Sequence, residues 1–218
     1  MKFVVISDTH AKHRLVRLPP GDVLIHAGDV SYRGEKYEIE DFLLWFSQQK
    51  YKYKIFIAGN HDFFFEKTKP KQIESLIPPD IIYLNDSGIE IDDCHIWGSP
   101  ITPEFFNWAF NRKRGEPIRK HWDLIPENTD ILITHGPPYR ILDLTIHEQH
   151  VGCKDLLQKV KQIRPKYHIF GHIHESYGSL NLSGTRFINA SAVNEQYDLR
   201  HKPILFEWKA LPAINTGE

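Results

Sequence analysis

Short runs of β-branched and aromatic residues recur along most of the chain, each closed by small or polar residues. They lie at 2–6 before Ser7, 22–26 before Ala27 and Gly28, 54–57 before Ala58 and Gly59, 130–134 before His135, and 166–170 before Gly171. Each predicts a buried strand followed by a loop. Between them apolar positions fall at helical spacing. Ile39, Phe42, Trp45 and Phe46 form one stripe within 37–49, and Leu156, Leu157, Val160 and Ile163 form another within 153–163, which Pro165 closes. Pro117 suits the first turn of a further helix over 117–125. Strands alternating with helices predict an α/β domain with parallel pairing. The final third differs, because 179–182, 186–190 and 204–208 read as strands joined by short connections, with a turn at Ser183 and Gly184. A second, partly antiparallel sheet built from these three is the expectation.

Composition narrows the class. The 218 residues carry 27 Lys+Arg against 28 Asp+Glu, and 41% are hydrophobic, enough for one domain with a real core. One domain over 1–210 with a flexible tail over 211–218 is expected. No apolar run approaches the roughly 20 residues that span a bilayer, and the N-terminus lacks a secretory pattern. A cytoplasmic protein without a membrane partner is therefore expected, and no protein partner is evident. Balanced charge argues against extensive nucleic-acid binding, which needs a basic surface. The basic clusters at 50–54 and 112–114 read as solvated faces. Cys94 and Cys153 belong to no C-x-x-C pair and read as core thiols.

The chain also holds 13 histidines, and their placement matters more than their number. Asp8 and His10, Asp29, Asn60 with His61 and Asp62, His135, and His172 with His174 all follow predicted strand ends. Ligands of open α/β sheets sit beyond the carboxyl ends of strands, so these groups can converge although they are far apart in sequence. Asp8-x-His10 and His172-x-His174 each place two donors on one side of an extended segment. Carboxylate, imidazole and amide suit a divalent ion such as Mn²⁺, Fe²⁺ or Zn²⁺, and the absence of thiolates disfavours a structural zinc. Seven ligands exceed the needs of one tetrahedral ion, whereas two ions about 3.5–4 Å apart that share one carboxylate would use them all. Such a pair suits phosphoester hydrolysis.

In order along the chain, Ser7-Asp8-Thr9-His10, Gly28-Asp29, Gly59-Asn60-His61-Asp62, Thr134-His135-Gly136 and Gly171-His172-Ile173-His174 resemble the five signature blocks of the calcineurin-like metallophosphoesterases. Gly98-Ser99-Pro100, Trp108-Ala109-Phe110-Asn111, Arg114-Gly115, Val151-Gly152-Cys153 and Ile188-Asn189-Ala190-Ser191 resemble its small single-domain MPPED-type branch. The resemblance implies an α/β fold of two mixed β-sheets forming a sandwich flanked by helices, in four layers. It implies that Asp8, His10, Asp29 and His174 hold one metal, that Asp29, Asn60, His135 and His172 hold the other, and that Asp29 bridges them. By the same resemblance His61 is the general acid, oriented by Asp62. Arg33 keeps the place of an arginine that binds phosphate in Ser/Thr phosphatases, although Tyr32 replaces the aspartate before it. The expected activity is a phosphodiesterase in which a metal-bridging hydroxide attacks a small phosphoester, nucleotides and cyclic nucleotides included, most often with Mn²⁺. A nuclease and a regulatory binding module with little turnover are the competing expectations. His26 reads as a packed neighbour of the site, and His13, His95, His121, His147, His150, His168 and His201 match no ligand block. All five tryptophans read as core, with Trp108 and Asn111 in a loop that could line the mouth.

Overall fold

The computed structural model describes residues 1–209. Its first half runs β1 (Lys2–Ile6), β2 (Val23–Ala27), α1 (Lys36–Ser47), β3 (Tyr53–Ile57), α2 (Phe63–Lys67), α3 (Pro70–Leu76), β4 (Ile82–Tyr83), β5 (Ser87–Ile91), β6 (Cys94–Ser99), β7 (Thr102–Pro103) and β8 (Asn111–Arg112). The second runs α4 (Glu116–Trp122), β9 (Ile131–Thr134), α5 (Lys154–Ile163), β10 (Tyr167–Phe170), β11 (Gly178–Leu182), β12 (Thr185–Asn189) and β13 (Ile204–Glu207). The tail expected at 211–218 lies outside the described residues.

Two mixed sheets form, in the orders β13-β1-β2-β3-β4 and β11-β12-β10-β9-β6-β5. Alternate side chains build the layers between and around them. Phe3, Val5, Ile25 and Ile57 of the first sheet meet Ile96, Ile133, Ile169 and Ile188 of the second in an entirely apolar middle layer. The opposite faces pack on helices: Leu24 and Phe56 lie with Ile39, Phe42 and Phe46 of α1, while Leu132, Phe170 and Phe187 lie with Leu156 and Val160 of α5. Central strands are buried on both faces, which is why they read as continuous apolar runs. The sandwich flanked by helices expected from the resemblance is the one observed.

Two expectations about the sheets need correction. The last strand does not join β11 and β12; β13 runs antiparallel to β1, with Phe206 stacked on Phe3 at 4.8 Å. The second sheet is instead completed by β9 and β10 and by the β5–β6 hairpin, which the sequence reading left unassigned. That hairpin turns at Asp92 and Asp93, at φ 45° and 59°. The Ser183-Gly184 turn, at φ 51° and 87°, has the same two left-handed residues but carries the expected glycine.

At the far edge of α1, Glu35 and Glu38 form a reciprocal capping box. Glu38 goes further, accepting backbone N–H bonds from Tyr32 (3.1 Å), Arg33 (3.0 Å) and Glu35 (3.0 Å), so one buried carboxylate fixes the whole 32–35 loop. Both cysteines are buried and unbridged, as expected, and Cys153 also caps α5 by accepting from Leu156 N–H.

Two fully buried histidines, His26 and His168, lie inside strands on the helix-facing sides. Burial pulls both His26 and His168 down to about 3, so both are neutral at pH 7. Thr134 Oγ1 donates to Gly136 O (2.8 Å), so the 2.9 Å contact from His168 Nε2 to Thr134 Oγ1 makes Nε2 the protonated nitrogen. A folded value below the unfolded one means that the unfolded chain binds the extra proton. The stability contributed is full above pH 6.5 and is lost as pH falls from there toward 3. Urea unfolding of His168→Gln should therefore show a pH dependence between 6 and 4.5 that is shallower than wild type by about 1.4 kcal/mol per pH unit. Parallel curves for the two proteins would show that His168 is not held neutral.

Candidate metal centre

The carboxyl ends of β1, β2 and β3 face those of β9 and β10 at one end of the sandwich, and the two sheets are joined there. Ser7 N–H donates to Ala190 O and Ala192 N–H to Ser7 O, both near 2.9 Å, a parallel bridge from the end of β1 to the chain leaving β12. Each strand then breaks sharply. Asp8 (φ 52°), His10 (42°), Asp29 (55°) and His172 (70°) all adopt the left-handed backbone that side-chain-bearing residues avoid at about 1–3 kcal/mol each. These turns aim side chains from both sheets into one space.

Side chains from all five strand ends meet there. Asp8, His10 and His174 form one group, His10, Asp29 and His61 a second, and Asp29, His135 and His172 a third, with ligand atoms of each group within 4.8 Å of one another. Asn60 Oδ1 lies 2.9 Å from His135 Nε2, which is also 3.3 Å from Asp29 Oδ2. His10 Nε2 lies 3.3 Å from His174 Nε2 and 3.8 Å from Asp29 Oδ2, and His174 Nε2 lies 3.6 Å from Asp8 Oδ1. Asp8, His10, Asp29, Asn60, His135, His172 and His174 are thus brought together in one space.

The hydrogen bonds around this cluster test whether it suits cations. His135 Nδ1 donates to Ala27 O (3.0 Å) and His174 Nδ1 to Asn194 O (3.2 Å). A carbonyl only accepts, so each Nδ1 carries a proton, and each Nε2, when its ring is neutral, turns a lone pair inward. Those lone pairs face carboxylate and amide oxygens that have no proton to give. Such a set of converging buried acceptors fits divalent ions. Protein charge alone leaves a proton there. Burial works against a charged His135, yet the Asp29 charge and hydrogen bond outweigh it and raise the ring to about 9. His10 and His172 are held neutral by burial, at about 4 and about 3. Burial alone would raise Asp29, but His135, His61 and His10 keep it well below the usual carboxylate range, and His174 does the same for Asp8.

Comparison with known proteins agrees. The calcineurin-like phosphoesterase family pattern matches residues 1–176. The chain belongs to the calcineurin-like phosphoesterases. Human metallophosphoesterase domain-containing protein 1 is 39% identical over 229 residues, spanning 94% of this chain and 70% of its own length. UPF0046 protein T07D4.2 of Caenorhabditis elegans is 39% identical over 236 residues, spanning 95% of this chain and 60% of its own. These relatives place the chain in the MPPED-type branch. Two solved structures share its fold. One superposes with a TM-score of 0.65 at 14% identity, covering 95% of this chain and 99% of its own. The other, TT1561 of Thermus thermophilus, gives 0.57 at 12% identity, covering 86% and 88%. As a calcineurin-like phosphoesterase the protein is a metal-using phosphoester hydrolase. Among the described residues no helix is long and apolar enough to cross a membrane.

Within this phosphoesterase the surroundings of the donors differ from expectation in three places. Asp62 does not orient the His61 ring. Its buried carboxylate accepts from Gly59 N–H (2.8 Å), Val30 N–H (3.2 Å), Ser31 N–H (2.9 Å) and Ser31 Oγ (2.5 Å), tying the Asp29 and Asn60 loops together, while burial and then the Asp29 charge lift it to about 6. His61 Nδ1 donates instead to Tyr32 O (2.8 Å), on the loop that Glu38 fixes, and its backbone N–H donates to Asp29 Oδ1 (2.8 Å). Arg33 is exposed and is not among the residues lining the cleft over the donors. The guanidinium at that cleft belongs to Arg114, whose Nη atoms donate to Val151 O and Gly152 O at 2.8 and 2.9 Å.

The cleft has a volume of 490 Å³. Trp108 lines it, stacked on His61 at 4.3 Å, whereas Trp45, Trp122 and Trp208 are core as expected. Asn111 stays behind the wall, donating from Nδ2 to Phe105 O (2.7 Å) and so holding the loop. Tyr197, at φ 62°, sits 4.8 Å from His10 and 5.1 Å from His174, ring to ring. Sequence reasoning missed Tyr197 and the role of Arg114, because neither follows one of the five strands that the β-branched runs mark. The cluster at 112–114 is not simply a solvated face either, since Arg112 pairs with Glu66 at 3.1 Å.

Close approach requires glycine at Gly171, where a Cβ would strike the Asp8 carboxylate and the Ser7 hydroxyl. Asp8 is held by His172 N–H, 3.0 Å from both its oxygens. Gly171→Ala should weaken divalent-ion affinity on the order of 10- to 100-fold while leaving far-UV circular dichroism unchanged. Isothermal titration of the stripped protein with Mn²⁺ checks this, and unaltered affinity would show that Asp8 is not a ligand.

Proposed function

We propose that the protein is a binuclear-metal phosphodiesterase of small phosphoesters, nucleotides and cyclic nucleotides included. The observation that carries this reading is the placement of Asp29 between two sets of inward-facing donors. Asp8, His10, Asp29 and His174 would hold one ion, and Asp29, Asn60, His135 and His172 the other. The ion proposed is Mn²⁺, with Fe²⁺ and Zn²⁺ as alternatives that the same imidazole, carboxylate and amide set accepts. Bound ions supply Lewis acidity, which acidifies water and offsets charge on phosphoryl oxygens.

The chain's own residues supply the rest. His61 is the acid. Its Nδ1–H is committed to Tyr32 O, so the protonated ring has Nε2–H for the departing oxygen, and the carbonyl stabilises that imidazolium. Trp108 covers one ring face and keeps His61 from swinging away. Phe105, Trp108 and Tyr197 line the cleft and would meet the organic part of an ester. Glu104, Glu175 and Glu195 also line it, with Arg114 the one Lys or Arg on its wall among the described residues. Beyond the ions a nucleic-acid backbone would find no basic track to follow, which supports a small ester over the competing nuclease reading.

The decisive assay uses metal-stripped protein reconstituted with single divalent ions and supplied with a matched aryl monoester, an aryl diester and a panel of cyclic nucleotides. Diester turnover should exceed that of Asp29→Ala, whose activity should vanish with every substrate. Equal rates for the two proteins would end the proposal. His61→Ala should lose on the order of 10²–10⁴-fold in kcat on alkyl or nucleoside esters, which need a protonated leaving group, and far less on p-nitrophenyl esters. Equal losses on both would remove the acid role.

A further inference from the structure

The carbonyl that holds the His61 ring belongs to a peptide that is gripped at both ends. Tyr32 C=O and Arg33 N–H share one planar trans unit, so fixing the direction of either fixes the other. At one end Tyr32 O accepts from His61 Nδ1 at 2.8 Å, and at the other Arg33 N–H donates to Glu38 Oε2 at 3.0 Å. Carboxylate, peptide and imidazole are thus joined by hydrogen bonds in one chain. Glu38 Oε1 also accepts from Tyr32 N–H, at 3.1 Å.

Helix capping does not account for this arrangement. The capping box needs only the bond from Glu35 N–H, which Glu38 accepts at 3.0 Å. Tyr32 and Arg33 precede the cap, so their bonds to Glu38 serve the loop and not the helix. Glu38 is itself buried, and Ile39, Phe42 and Phe46 anchor its helix in the core. The start of the loop is tied as firmly, because Val30 and Ser31 N–H both donate to Asp62. Every amide N–H from Val30 to Arg33 is therefore taken by one of two buried carboxylates, Asp62 and Glu38. The loop also meets His61 from a second direction. At Gly34, with φ 72°, a Cβ would lie 2.5 Å from His61 O.

We infer that Glu38 is a positioning residue for phosphoester cleavage, one that acts through the 32–33 peptide to aim the His61 ring, and with it the Nε2–H, at the departing oxygen. The inference rests on the acid role proposed for His61. The carboxylate also polarises the peptide and makes Tyr32 O a stronger acceptor for Nδ1–H. Glu38 thereby fills the part expected of Asp62. The consequence is selective: an alkyl or nucleoside leaving group needs the proton and depends on the aim of His61, whereas p-nitrophenolate departs as an anion and depends on it little.

Glu38→Gln, Glu38→Asp, Glu35→Ala and His61→Ala are compared in the metal-loaded full chain on matched alkyl and p-nitrophenyl diesters. Gln presents an amide NH₂ where an oxygen accepted, so it cannot keep all three bonds. Glu38→Gln should lose about 10- to 100-fold in kcat on the alkyl diester and far less on the p-nitrophenyl diester, with little change in KM. Glu38→Asp keeps both acceptor oxygens on a shorter stem and should show a smaller loss of the same selectivity. Glu35→Ala weakens the cap but leaves the loop bonds, and should lower the melting temperature without that selectivity. In a His61→Ala background Glu38→Gln should have no further selective effect. In spectra of ¹⁵N-labelled histidine the His61 Nδ1–H should exchange with water about tenfold faster in Glu38→Gln, a readout independent of turnover. A selective loss in His61→Ala with none in the Glu38 variants overturns the inference and leaves the acid role standing, whereas no selective loss in any of them overturns both. Equal losses on the two diesters, or additive losses in the double variant, would show that Glu38 acts on folding or on the metal donors and would also overturn the assignment.

Discussion

Buried acceptors facing one another across a sheet-to-sheet seam are the constraint on which the rest of this structure turns. His135 Nε2 lies 2.9 Å from Asn60 Oδ1 and 3.3 Å from Asp29 Oδ2, and His174 Nε2 meets His10 Nε2 at 3.3 Å. Repulsion among these lone pairs is relieved only by positive charge, supplied by a proton or an ion. Much of the surrounding fold holds the acceptors there regardless. The Ser7–Ser191 bridge pins the sheets, left-handed turns at Asp8, His10, Asp29 and His172 aim the side chains, and Gly171 lets the backbone pass close under Asp8. Four donors are themselves in this strained backbone, and the apolar layer between the sheets offsets its cost.

The donors were legible in the sequence because each follows a strand that announces itself as a β-branched run, and because strand ends are where an α/β sheet presents its chemistry. The pairing of strands was less legible. Ile204–Glu207 has the same local pattern whether it lies beside β12 or beside β1, and only the contact between Phe206 and Phe3 decides. The β5–β6 hairpin escaped for a different reason. Its turn uses Asp92 and Asp93 in backbone conformations for which glycine is the usual marker, so the turn signal that revealed Ser183-Gly184 was missing. Tyr197 reaches the cleft from the long connection between β12 and β13, whose course no periodicity records, and Arg114 follows β8, a strand of two residues too short to show a pattern.

Orientation of His61 shows how a local motif can point to the wrong partner. Asp62 is its neighbour in sequence, but a carboxylate already accepting from Gly59, Val30 and Ser31 has little left to offer the ring, and it works as a tie between two ligand loops. The partner is a backbone carbonyl, and its position is inherited. Glu38 caps α1, gathers the N–H groups of Tyr32, Arg33 and Glu35, and thereby presents Tyr32 O to His61 Nδ1. A helix-capping carboxylate thus sets the orientation of a ring beside the metal donors, through the loop that it fixes.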